Sequence, residues 1–199
     1  MFCLDAFLNI DGDIVTWLNQ GIGRYYLLDR ITYLIVSDYF VPVIMCFWGL
    51  GLWFHGKDLA ERINNQKGVL AAAISLGFAN LAVLLMNQVG FRERPFMQYE
   101  LSNLLYAPTD SSFPANPAAV AFAFAMAIWW RNRRASALPF LLAALWSFTR
   151  VYNGLFFPSD VIAGGLIGVA IACVFSAGLR AIEPIPTKVI QGVRLIHLA

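Results

Sequence analysis

The hydrophobic pattern of the chain is dominated by long apolar stretches with few charges, each long enough to cross a hydrocarbon layer about 30 Å thick, which takes roughly 20 residues of helix. Five such stretches are predicted to be transmembrane helices: Ile31 to Phe54, Val69 to Gln88, Pro114 to Trp130, Ala135 to about Tyr152, and Val161 to Leu179. Two are interrupted, the first by Asp38 alone and the fourth by Arg150 near its end. Ahead of them, Leu4, Phe7, Leu8, Val15 and Leu18 recur near helical spacing, with Asp5, Asp13 and Asn19 on other faces. That pattern predicts a short amphipathic helix lying in the membrane interface, into which Asp11 fits poorly. Insertion of residues 5–20 would raise the number of spans to six. Gly21, Gly23 and the Asp29-Arg30 pair separate this helix from the first span.

The fold class that follows is all-α, an integral membrane helical bundle of five or six transmembrane helices with an N-terminal interfacial helix. Its expected organisation is an interfacial segment over 1–30, a membrane helical domain over 31–180 and a cytoplasmic tail over 181–199. Composition agrees: 59% of the 199 residues are hydrophobic and only 13% charged, far from the balance of a soluble globule. Disorder and nucleic-acid binding are both excluded as expectations by so apolar and weakly charged a chain. The first 15 residues carry Asp5, Asp11 and Asp13 and no base, the reverse of a secretory signal's positive start.

Charge placement gives an orientation. Lys57, Arg62, Lys67, Arg131, Arg133, Arg134, Arg180, Lys188 and Arg194 fall on one side of the predicted spans, against Arg24, Arg30, Arg92, Arg94 and Arg150 on the other. Positive charge concentrates in the cytoplasm, so the N-terminus is expected outside and the C-terminus inside a cell membrane. Segments 89–113 and 150–160 then share the outer face. Trp48, Trp53, Trp129 and Trp130 sit near span ends, where tryptophan anchors to the interface. Gly164 and Gly168 give a GxxxG spacing, which suits close helix contact either within the chain or with a partner. Cys46 and Cys173 lie inside spans and Cys3 is alone outside them, so neither a disulfide framework nor a metal site is expected.

Candidate chemistry collects on the outer face, in 87–96, 110–117 and 149–160. An arginine within a membrane helix costs roughly 2.5–3.5 kcal/mol on insertion scales, so Arg150 must point inward to a partner, for which Asp160 is the nearest candidate in sequence. Asp110, Ser111 and Ser112 precede Pro114 and read as helix-capping candidates. Guanidiniums converging at that helix start would make an anion site; alternatively Arg94, Arg150 and Asp160 form an ion-pair network that fastens helix ends.

At these three segments the chain resembles the type 2 phosphatidic acid phosphatase superfamily, nearest to its bacterial undecaprenyl-diphosphatase branch, over about Leu27 to Leu179. The family pattern K-x6-R-P corresponds to Asn87-x6-Arg94-Pro95, P-S-G-H to Pro114-Ala115-Asn116-Pro117, and S-R-x5-H-x3-D to Thr149-Arg150-x5-Phe156-x3-Asp160. The resemblance implies a membrane lipid phosphatase fold in which arginines hold phosphate and two histidines carry catalysis. Arg94, Arg150 and Asp160 match; Asn87, Ala115, Pro117 and Phe156 stand where the pattern has Lys, Ser and the two His. Neither proline nor phenylalanine can exchange a proton or attack phosphorus. The remaining histidines, His55 and His197, are expected on the opposite side of the membrane.

The leading expectation is therefore a catalytically inactive member of the family. It would keep a partial pocket for a lipid phosphate, such as a polyprenyl phosphate, through Arg94, Arg150, Arg92 and Asn116, or serve as a structural subunit of a membrane complex. A divergent phosphatase with a rerouted mechanism and a polyprenyl phosphate transporter remain open. No cofactor is expected; membrane lipids and a membrane protein are the expected partners.

Overall fold

The computed structural model describes residues 2–102 and 108–195, with side chains from residue 10 to 192 outside the same gap. Its elements are α1 (Phe2–Asn19), α2 (Tyr26–Val36), α3 (Phe40–Phe54), α4 (Leu59–Val89), α5 (Pro95–Gln98), α6 (Asn116–Trp129), α7 (Ala137–Tyr152), α8 (Pro158–Ala181) and α9 (Ile185–Leu195). The described residues form helices and connections without strands, as the pattern of apolar stretches predicted.

Two helices, α4 and α8, are each long and apolar enough to cross a membrane alone. The first predicted span is divided: α2 and α3 meet at an angle of 59° across Ser37, Asp38 and Tyr39. Ser37 Oγ accepts from the backbone amides of Tyr39 and Phe40, so the break has its own hydrogen bonds. Helix α4 begins ten residues earlier than its apolar stretch, because Asp58 caps it by accepting from the Glu61 amide at 2.7 Å and Glu61 returns a bond to the Lys57 amide at 2.9 Å. This reciprocal capping carries a helix past the hydrophobic segment into water.

Helix α6 is the axis of the bundle and packs against α4, α7 and α8. With 14 residues it spans only about 21 Å at 1.5 Å per residue, yet Ala118, Ala119, Ala121, Ala123, Ala125 and Ala127 are all buried. Small side chains let neighbours approach the backbone, which is how membrane helices gain contact when apolar burial offers no drive. Facing them, a Cβ added to Gly164 or Gly168 would land on the carbonyl oxygens of Ala115 and Ala119. The GxxxG spacing is thus used within the chain, between α8 and α6.

One end of the bundle gathers the loops. Phe96 N donates to Gly154 O at 3.2 Å, Ser112 N to Arg92 O at 2.9 Å and Ala115 N to Asp160 O at 3.0 Å, so the three segments expected to share a face do meet. His55 lies at the other end: its carbonyl accepts from Asn65 on the first turns of α4, a helix whose 31 residues span about 46 Å. His197 lies outside the described residues.

Candidate functional site

Among the described residues four arginine–aspartate ion pairs organise this end, and their pairing differs from the sequence expectation. Arg150 does not reach Asp160. Its Nη2 donates to Asp38, the acid at the α2–α3 break, while the guanidinium lies 5.2 Å from the Trp146 ring centroid. The break turns an acid that would be costly in mid-span into the partner of an arginine on another helix.

Asp160 instead receives Arg92 Nη1 and the Ser112 hydroxyl. The other arm of Arg92, Nη2, donates to Asp11 at 3.0 Å, and Ser159 donates its hydroxyl to Asp11 and its backbone amide to the same carboxylate at 3.2 Å. Asp11 fitted the amphipathic pattern of α1 badly because it is a buried ion-pair partner that docks α1 onto α8. Arg92 also stacks on Phe157 at 4.2 Å. Every charge in this cluster has an opposite charge and further hydrogen bonds, and Asp160 is fully buried. Arg92 was expected to donate to phosphate; its guanidinium is committed to Asp11, Asp160 and Ser159, and it does not line the polar cavity described next.

The expected capping also takes another form. Helix α6 begins at Asn116 with Ala115 as its cap residue and no side-chain cap. Ser112 is held by Asp160, and Ser111 Oγ accepts from the Arg92 amide at 3.1 Å. The capping residues are used to tie the 110–114 loop to its neighbours.

Arg94 is positioned by three bonds, Nε to Asp110 O at 3.0 Å, Nη1 to Leu155 O at 2.9 Å and Nη2 to Asp110 Oδ1 at 2.8 Å, and unlike Arg92 it lines the cavity. Its guanidinium also lies 4.2 Å from the Phe156 ring centroid. Arg94 and Arg150, both with side chains only 3% exposed, face one polar cavity of about 140 Å³. Asn87, Asn116, Pro117, Phe156, Ser111, Asp38 and Asp110 line it too. The start of α6 forms part of the wall, and the first turn of a helix favours anions. Asn87, Asn116, Asp110 and Ser111 are shared with a groove that continues past Asn80, Val83 and Leu84 on α4 and Phe91 just beyond it. Polar cavity and apolar groove together suit an amphipathic ligand.

Of the matched motif positions, Asn87, Arg94, Pro114, Asn116, Pro117, Arg150 and Phe156 line this cavity, whereas Pro95, Ala115, Thr149 and Asp160 do not. Among the described residues no imidazole lines it. Asp110, expected here only as a capping candidate, and Asp38, not expected here at all, complete it. The cost of a lone acid within an apolar span was the signal available for Asp38.

The fold and these segments define a known class. The PAP2 superfamily matches residues 68–182, and the chain belongs to that superfamily. Among named relatives, it is 28% identical over 171 residues to YbjG of Escherichia coli (strain K12), covering 85% of this chain and 77% of that protein. It is 27% identical over 143 residues to the undecaprenyl-diphosphatase BcrC of Bacillus subtilis (strain 168), covering 71% of each. In structure it is similar to a transmembrane PAP2-type phosphatidylglycerolphosphate phosphatase from Bacillus subtilis, with a TM-score of 0.65, 19% identity, and 90% and 89% of the two chains covered. The chain is a membrane protein of the PAP2 lipid phosphatase family.

Proposed function

We propose that this protein holds the phosphate of a membrane lipid between Arg94 and Arg150 and does not hydrolyse it by the phosphohistidine route of its family. The observation that carries this reading is the lining of the polar cavity: two buried guanidiniums at the start of α6 with Phe156 and Pro117 and, among the described residues, no imidazole facing them. Guanidinium forks bind phosphate oxygens bidentately, whereas a phenylalanine and a proline offer no lone pair to attack phosphorus and no proton for a leaving group. The adjoining groove, with Val83, Leu84 and Phe91, gives the lipid's first methylenes an apolar path. Positive charge at the opposite end supports an orientation with this cavity on the outer face and the C-terminus in the cytoplasm.

The names of relatives make polyprenyl phosphates and diphosphates the first lipids to try. Native mass spectrometry of the full chain, released gently from its own membrane, tests binding, and phosphate release from undecaprenyl diphosphate tests chemistry. Retention of a phosphate-bearing lipid that disappears in the Arg94→Gln/Arg150→Gln double variant, with no phosphate released by either protein, is the expected result. Phosphate release by the unaltered chain, lost on Asp160→Asn, would establish a rerouted phosphatase instead.

A further inference from the structure

The charge balance and hydrogen-bonding capacity of the polar cavity narrow the headgroup it accepts. Two guanidiniums, Arg94 and Arg150, face it, and so do two carboxylates, Asp38 and Asp110, each already paired with one of them. The four charges cancel, so a bare phosphate dianion meets no net positive charge. Both acids keep access to a ligand, with side chains 39% and 65% exposed.

The amides add a second asymmetry. Asn87 Oδ1 and Asn116 Oδ1 are buried acceptors with no donor, and Arg150 Nε is a buried donor with no acceptor. One N–H of the Asn116 amide goes to Asn80 Oδ1 at 2.9 Å, while its oxygen is left without a donor. A buried acceptor without a partner costs about 1–3 kcal/mol. A phosphate oxygen satisfies Arg150 Nε, but it cannot satisfy two amide oxygens; those require N–H or O–H donors on the ligand.

We infer that the cavity is built for a zwitterionic headgroup, a phosphodiester carrying a primary ammonium, with the phosphate at Arg94 and Arg150 and the ammonium at Asn87 Oδ1, Asn116 Oδ1 and the Asp38 and Asp110 carboxylates. This rests on the lipid-phosphate reading above and specifies its lipid class. An ammonium supplies three donors and one positive charge, enough for the two open amide oxygens and one of the acids, and its charge balances that of the phosphodiester. A phosphodiester also needs no leaving-group chemistry, consistent with Pro117 and Phe156 in the wall.

The test offers the full chain, in detergent micelles, an equimolar mixture of phosphatidylethanolamine, its N-acetylated derivative and phosphatidic acid, and reads retained lipid by native mass spectrometry. Phosphatidylethanolamine is expected to exceed the N-acetylated lipid by about tenfold, equivalent to about 1.4 kcal/mol. That preference should collapse in Asn87→Leu, which removes one acceptor without touching the arginines. Equal or better retention of the N-acetylated lipid or of phosphatidic acid overturns the inference. If phosphatidic acid is then lost in the Arg94→Gln/Arg150→Gln variant, the lipid-phosphate reading stands without the ammonium. Retention of none of the three, together with no polyprenyl phosphate, removes both.

Discussion

Two arginine and aspartate clusters lie side by side at one end of this bundle and are built from the same residue types, yet only one is saturated. Around Arg92, each arm of the guanidinium has a carboxylate, Asp160 is also bonded by Ser112, and Asp11 by Ser159. Around Arg94 and Arg150, the ion pairs are made too, but Asn87, Asn116 and Arg150 keep buried polar atoms without partners, and a cavity separates them. Saturation separates a fastener from a receptacle better than charge does. A satisfied network gains nothing from a ligand, while an incomplete one is relieved by it.

The sharpest break of this contrast is Arg92→Gln. It leaves Asp160 buried opposite no cation and should destabilise the protein by about 3–5 kcal/mol, as when one partner of a buried ion pair is removed. Thermal unfolding of the detergent-solubilised chain would show it, with or without lipid. Next in size, Asp11→Asn should loosen α1 from α8 and expose the N-terminal helix to protease at a temperature where the parent resists. A smaller effect of opposite character is expected on the cavity side. Asn87→Leu removes an unpartnered buried acceptor and should leave stability unchanged or raise it by up to about 1–3 kcal/mol, while reducing retained lipid. An equal loss of stability from Asn87→Leu and Arg92→Gln would erase the distinction.

The smallest effect sets the floor for an exposed pair at the far end. Lys67 holds the Glu183 carboxyl below its ordinary value, with Thr187 assisting. A carboxyl held low in the folded state stabilises above its unfolded value of about 4.5 and loses that contribution as pH falls below it. A slight drop in melting temperature between about pH 5 and 3 is expected, and Glu183→Gln should remove that part of the pH dependence. Because both side chains are near solvent, the effect should also fade at high salt.

Much of the architecture was readable in advance because hydropathy is local: the apolar stretches became helices, and segments separated by an even number of spans met at one end. The pairing of charges was not, since it depends on which faces of distant helices oppose one another. Arg150 was expected beside Asp160, ten residues on, but the α2–α3 break brings Asp38 across 112 residues of chain. Two signals lay in the sequence nonetheless. Asp38 interrupted an apolar span and Asp11 an amphipathic pattern, and an acid that violates its local pattern is one whose partner is elsewhere. The motif spacing marked Arg94, Arg92 was added only as a nearby donor, and only the fold shows that α1 reaches Arg92 through Asp11. Helix ends were misjudged where polar contacts overrode hydropathy, as at Asp58, which starts α4 early, and at Ser112, which serves Asp160 instead of capping α6.

The alanine axis of α6 gives the molecule a lopsided tolerance to mutation. In most cores the damaging change is a deletion, a leucine cut back to alanine. Along this seam six buried positions of α6 are already alanine, so there is little left to delete at them. Harm must come from additions: a single methyl at Gly168, where a Cβ would strike Ala119 O, would force α8 off α6 and pull apart the loop end that Ala115 and Asp160 join.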